Sequence, residues 1–334
     1  MSLDGFFPDN TDRPFDLLTL GDPCVDLYFA ADPLPMAGEK RLGRMLGCFA
    51  GGTESNVACA ASRLGLSVSV CGRVGDDLYV SMLMNEFARF RVNAAHMVQV
   101  PGAISASALV MVQSDGEKAL VYSPMSEPHA LIDPIVDLVP RSRAFYSAPY
   151  DAQRFLRHSE VARRAGTRVV IDIEAAMAPD VATFHALLGG AELVFMSDHS
   201  LRAITGQAAT VASLRALLAL GPRLLVVTQG AAGALAVTHD EAFSHSGFAE
   251  TAVDTTGAGD CFAGAFLANL FTGATLARAL AYACAAASFA VTSMGARSGY
   301  PRPMDVERRL GIAKTLKQPA APWTGRALND MEPS

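Results

Sequence analysis

The fold class that this sequence predicts is α/β: a central, mostly parallel sheet with helices on both faces, plus a small β-rich extension. Three observations carry that expectation. Short, continuously apolar runs such as Val169-Val170-Ile171 and Leu224-Leu225-Val226-Val227 alternate with helical patterns across residues 143–228. Strands covered on both faces have this composition, and alternation at this spacing means βαβ units. The chain has 334 residues and is 51% hydrophobic, enough for one large core or two ordinary domains. Finally, residues 28–48 mix Pro, Gly and charge, and residues 106–122 pattern as a hairpin, so both project from the body rather than build its core.

In chain order, residues 1–14 read as a loose leader and 15–21 (FDLLTLG) as a buried strand closed by glycine. Asp26 follows that strand end, where open α/β sheets place ligands; a turn-forming Asp is the alternative. Residues 28–48 suit two short strands joined by a turn. Gly51-Gly52 lets a ligand approach the backbone, Thr53 suits an N-cap, and the periodic run 57–64 stops at Gly65. A strand over 68–74 and a helix over 78–90 follow. The hairpin then pairs 106–113 with 118–122 across a turn at 114–117. Lys118 suits a solvent-facing strand position better than a phosphate contact. Strands at 143–147, 168–173, 193–196 and 224–228 alternate with helices at 152–165, 181–188, 201–204 and 213–220. Asp172 and Glu174 fall on one side of an extended chain, either as ligand contacts or as a solvated pair. Residues 231–237 return as the second strand of a hairpin. A helix over 276–291, a loop at 295–299 and a Pro-rich peripheral tail from 318 complete the chain.

The stretch Val253-Asp254-Thr255-Thr256-Gly257-Ala258-Gly259-Asp260 is a tight turn that feeds an apolar, alanine-rich helix. Free N–H groups of a helix start point out of such a turn with the positive end of the dipole behind them, which makes an anion site. Asp260 at its edge either takes a proton from a hydroxyl attacking a bound phosphate or is a first-turn Asp favoured by the dipole alone. Neither a Walker A loop nor a G-x-G-x-x-G fingerprint occurs.

Three separated motifs occur in order: Gly51-Gly52-Thr53-Glu54-Ser55-Asn56-Val57-Ala58, then Thr228-Gln229-Gly230-Ala231-Ala232-Gly233, then Asp254 through Asp260. Together they resemble the ribokinase-like (PfkB) carbohydrate kinases over about residues 15–312, a single kinase domain with peripheral tails at 1–14 and 318–334. The resemblance implies Asp260 as catalytic base and Gly257, Ala258 and Gly259 as anion hole. It implies Asp26, Gly51, Gly52 and Asn56 as sugar contacts, with Thr53 a further polar one. Ser197, Thr228, Gly230 and Gly233 fall on the nucleotide side. Lid segments fall at about 28–48 and 104–124, and lid strands of this family pair between subunits, which implies a homodimer. ATP and Mg²⁺ are the implied cofactors, with K⁺ near Asp254, Thr256 and the 295–299 loop. One departure stands out: many members carry N-x-x-E where this chain has Ser197 and Ser200. Ketohexokinase-like and sulfofructose-kinase-like branches share that departure, which tilts the acceptor toward a ketose.

Net charge is −6 with no basic run, which argues against nucleic acid as a partner. Six cysteines lie scattered without a C-x-x-C pair, as in a reducing cytosol. No signal peptide is evident, and the apolar run 276–296 contains Arg278 and is built on Ala and Ser, so it suits a buried helix rather than a membrane span. The expectation is a cytoplasmic, ATP-dependent sugar kinase. The alternatives are a nucleoside kinase of the adenosine type and a non-catalytic sugar sensor of the same fold.

Overall fold

The computed structural model describes residues 5–8, 12–114, 117–125 and 134–316. The expected tail from 318, the start of the leader and the tip of the hairpin turn at 115–116 lie outside the described residues. The elements run β1 (Phe15–Leu20), β2 (Cys24–Ala30), β3 (Arg44–Gly51), α1 (Thr53–Arg63), β4 (Val68–Val74), α2 (Val80–Arg89), β5 (Asn93–Gln99), β6 (Ala106–Val112), β7 (Lys118–Ser123), α3 (Pro134–Leu138) and β8 (Ser142–Ser147). They continue α4 (Ala152–Arg164), β9 (Arg168–Ile173), α5 (Val181–Gly189), β10 (Leu193–Ser197), α6 (Asp198–Thr205), α7 (Val211–Leu218), β11 (Leu224–Thr228), β12 (Ala234–Val237), β13 (Ala242–His245), α8 (Ala258–Leu270), α9 (Leu276–Ala290) and α10 (Pro303–Leu316).

Nine strands form the main sheet in the order β13-β12-β11-β10-β9-β8-β1-β4-β5. β5 through β11 along this order are parallel, and β12 and β13 close one edge antiparallel. Successive residues of each strand serve opposite cores. Leu17, Val70, Tyr146, Val170, Phe195 and Val226 face the layer of α1, α8 and α9. Leu18, Cys71, Phe145, Ile171, Val194 and Val227 face the layer of α4 to α7. This two-sided burial explains why the strands are apolar throughout. A separate sheet, β3-β2-β6-β7, forms the lid, with β2 and β6 parallel and the outer pairs antiparallel.

Three expectations need correction. Part of the leader belongs to the core: Phe6 and Phe7 are buried, Phe7 stacks on Phe271 with centroids 3.6 Å apart, and the Arg13 guanidinium donates to the Ser142 and Ala165 carbonyls at 2.6 Å. The cap of α1 is Gly52, in the left-handed region at φ 93°, and Thr53 is the first helical residue. The strand expected over 231–237 begins only at Ala234, and β13 follows it as a second antiparallel strand.

α8 is apolar on all sides because it is enclosed by α1, α9 and the sheet, where Phe195 meets Phe266 edge-on at 5.5 Å. It lies parallel to α1: Asn56 meets Asp260, and one turn on Gly264 lies against Val57, Ala60 and Ala61. A Cβ on Gly264 would sit 2.7 Å from the Ala60 Cβ and 2.9 Å from the Ala61 nitrogen. Gly264→Ala is therefore expected to push the helices apart and cost about 1–3 kcal/mol. A thermal melt checks this, and an unchanged midpoint would show that the contact is looser than drawn.

Candidate active site

Parallel packing of α1 and α8 aims two helix N-termini at the same place, where Glu54 lies against Gly21 just past β1 and Asp260 faces the charge of Asp172 near the end of β9. Gly257, the N-cap of α8, has φ 75°, a conformation that suits glycine. A Cβ there would strike the Ala296 carbonyl, so this residue is set both by its backbone conformation and by its neighbour. Gly257 and Ala258 are half-buried and Gly259 is exposed, which leaves the helix mouth open. The Ala258 N–H makes a long bond to the Thr255 carbonyl, at 3.3 Å, that an anionic ligand could outcompete. Tyr300 secures the turn from below, its hydroxyl donating to the Gly257 carbonyl at 3.1 Å.

Asp260 is in the first turn of α8. Asn56, in the first turn of α1, donates from Nδ2 to Asp260 Oδ2 at 2.7 Å. The Asn56 amide is itself oriented by Arg297, whose Nε donates to Asn56 Oδ1 at 2.7 Å while Nη2 donates to the Gly51 carbonyl at 2.7 Å. Arg297 is buried, and its charge lies close enough to favour ionised Asp260. Lost hydration dominates nonetheless: it pushes Asp260 up from 3.8 to about 7, opposed by the Asn56 bond and aided by the charge of Glu174. Asp172 rises to about 8 through burial and repulsion from Asp260 and Glu174. Tyr150 donates to Glu174 Oε2 at 3.3 Å.

Asp26 lies on β2 of the lid, buried, with burial raising it to about 6 against the Cys24 thiol and Arg297. Its carboxylate occupies the space a side chain at position 51 would need, so Gly51 is what allows Asp26 to sit there. Gly51, Gly52, Asn56, Asp26 and Asp260 thus belong to one neighbourhood, and Arg297 ties it together. Thr53 is half-buried at the start of α1.

On the other side, Ser197 and Thr228 are register partners at the ends of β10 and β11. The Ser197 hydroxyl caps α6, accepting from the Ser200 N–H at 3.0 Å and donating to the Ser200 hydroxyl at 3.0 Å. Ser197 and Ser200 therefore satisfy each other. Gly230, at φ 56°, begins the turn after β11, and Gly233 packs its backbone against that of His245 and Gly247.

Asp254 and Thr256 do not fit a K⁺ site. Asp254 Oδ1 accepts from the Thr256 N–H at 3.0 Å, the Thr256 hydroxyl at 2.7 Å and Lys118 Nζ at 2.5 Å, while Oδ2 accepts from the Gly295 N–H at 2.9 Å. Tyr28 donates to the Thr256 hydroxyl at 2.8 Å. The expectation of a solvent-facing Lys118 is thus corrected: the lysine reaches from the lid to a buried carboxylate. Among the described residues, no three His, Cys, Asp or Glu side chains gather as a metal cage. No described helix is long and apolar enough to cross a membrane, and α9 is a buried helix.

The pfkB family carbohydrate kinase model matches residues 15–303. The ribokinase of Bacillus subtilis (strain 168) is 28% identical over 304 residues, covering 88% of this chain and 99% of its own. A fructokinase from Klebsiella pneumoniae is 31% identical over 313 residues, covering 87% and 98%. The structure of Arabidopsis thaliana ribokinase complexed with ribose and ATP shares the fold, with a TM-score of 0.77 at 24% identity over 89% of this chain and 99% of that one. With the family model matching most of its length and a relative at 31% identity, the chain belongs to the PfkB family of carbohydrate kinases, phosphotransferases that take an alcohol group as acceptor.

Proposed function

We propose that this chain transfers the γ-phosphoryl group of ATP to a hydroxyl of a carbohydrate, with a ketose-type acceptor preferred. The observation that carries the reading is the 2.7 Å bond between Asn56 and Asp260 at the shared mouth of α1 and α8. Asp26, Gly51, Gly52, Thr53 and Asn56 align the acceptor, and Asp260 takes the proton from its hydroxyl. That oxygen then bonds to the γ-phosphorus as the bond to the β–γ bridging oxygen breaks and ADP leaves. The amides of Gly257, Ala258 and Gly259 receive charge that develops on the moving group. Ser197, Thr228, Gly230 and Gly233 border the nucleotide. Mg²⁺ supplies charge neutralisation on the phosphates when bound. Asp172 and Glu174 are the residues that would hold it through water; burial raises Asp172 most, and the nearby charges of Asp260 and Glu174, which add to the rise, suit a divalent cation there. The lid excludes water from the reaction.

The ketose preference is supported by the fructokinase relative and by Ser197 and Ser200 standing where many members carry N-x-x-E. The lid presents Met45, Leu120 and Val121 to solvent, and a homodimer through lid faces in the cytoplasm belongs to the same reading.

An ADP-release screen over ketohexoses, aldopentoses, acidic sugars and nucleosides tests it. The expected result is a ketose as best acceptor, at roughly 100-fold or more above ATP hydrolysis without acceptor, the scale that positioning alone provides. ADP release with nucleosides alone, or sugar binding with none, overturns it.

A further inference from the structure

Asp254 is buried at the start of the turn that leads into α8, and a buried carboxylate needs a compensating charge as well as hydrogen bonds. Its four donors are the Thr256 N–H and hydroxyl, the Gly295 N–H and Lys118 Nζ, and only the last carries charge. Burial pushes this carboxyl up, yet the four donors, Lys118 foremost, outweigh it and hold Asp254 below the ordinary Asp value. The donor is unusual in origin. Lys118 is the first residue of β7 and lies 136 positions from Asp254, so it arrives from the lid sheet and not from the turn or the neighbouring loop. Tyr28 of β2 reaches the same turn through Thr256.

We propose that Lys118 is a positioning residue whose ammonium supplies the cation of this turn, so that turnover needs no K⁺. An ammonium and K⁺ are similar in size and both bind carboxylate and hydroxyl oxygens, so one excludes the other at Asp254. Because the cation is carried on a lid strand, the turn below the anion hole acquires its counter-charge only when the lid sheet is seated. This role rests on the sugar-kinase reading. A chain that releases no ADP with any acceptor defeats that reading and leaves Lys118 to be judged by melting alone.

The experiment compares wild type and Lys118→Met in KCl and in tetramethylammonium chloride at equal ionic strength, the larger ion being unable to enter the site. Thermal midpoints are measured without substrates, and ADP formation is measured with ATP, Mg²⁺ and the best acceptor from the screen. Wild type is expected to show the same midpoint and turnover in both salts. Lys118→Met is expected to lose about tenfold in turnover in tetramethylammonium, the scale of one charged hydrogen bond, and to regain both turnover and midpoint in KCl. K⁺-stimulated turnover of the wild type overturns the proposal. A loss in the variant that KCl leaves unrepaired in both measures also overturns it, because Lys118 is then a lid tether only. Should Lys118→Met fail to fold, Lys118→Gln removes the charge while keeping a donor and is measured in the same way.

Discussion

Asp260→Asn is expected to lower turnover by roughly 10³-fold, within the range assigned to a positioned general base, while acceptor binding measured by calorimetry stays within a few-fold of wild type. The amide still pairs with Asn56 through its carbonyl, so the site keeps its shape and loses only the proton acceptor. The pH profile gives a second measurement. Asp260 titrates at about 7, so kcat/KM of the wild type should fall as pH drops through that value, because only the ionised carboxylate can take the proton. Stability runs the other way. The folded protein holds the Asp260 proton up to about 7 and the unfolded chain releases it near 3.8, so ionisation costs stability as pH rises across that window. Asp260→Asn should therefore melt higher than wild type at pH 8, with the difference shrinking toward pH 4. Near-normal turnover in this variant would remove Asp260 from the mechanism.

Arg297→Met should produce the second large loss, about 100-fold in kcat/KM, the scale of a small misplacement of reacting groups. Arg297 holds the Asn56 amide and the Gly51 carbonyl at once, and through them the acceptor contacts and the base. Two stability effects oppose each other. Leaving the Asn56 and Gly51 oxygens without a donor costs about 1–3 kcal/mol each. Removing a desolvated guanidinium whose Nη1 has no partner among the described residues returns a comparable amount. The thermal midpoint should thus move little while activity collapses. The charge of Arg297 also favours ionised Asp260, so the acid limb of the pH profile should shift above about 7 in Arg297→Met and stay in place in Arg297→Lys. An unmoved limb in the methionine variant would reduce Arg297 to packing.

Nothing in the sequence marks Arg297 as part of the site. It sits in a loop between glycines, where a lone arginine ordinarily faces water, and nothing local indicates a partner 241 positions away. The partner of Lys118 is hidden for the same reason: period-two alternation says which face of a strand a residue occupies but not what the sheet is laid against. Features with local causes are legible in the sequence. The parallel strands announced themselves because both faces are covered, and the turn into α8 was visible because small residues and a following apolar helix suffice to define it. β5 and β13 escaped because they are edge strands with partly exposed, mixed compositions. Thr53 was expected as a cap because its side chain can cap, whereas the chain entering α1 needs positive φ, which put Gly52 there.

The pairing of α1 with α8 has a consequence for biosynthesis. Asn56 and Asp260 are 204 residues apart. At ribosomal rates of about 5–20 residues per second, roughly 10–40 s separate the emergence of the first from that of the second. Throughout that interval α1 can pack on β1 and β4, but its side facing α8 stays uncovered, and the growing polypeptide carries that apolar surface exposed. The same delay keeps a half-made kinase from spending nucleotide, since no truncated product ending before α8 can perform the reaction.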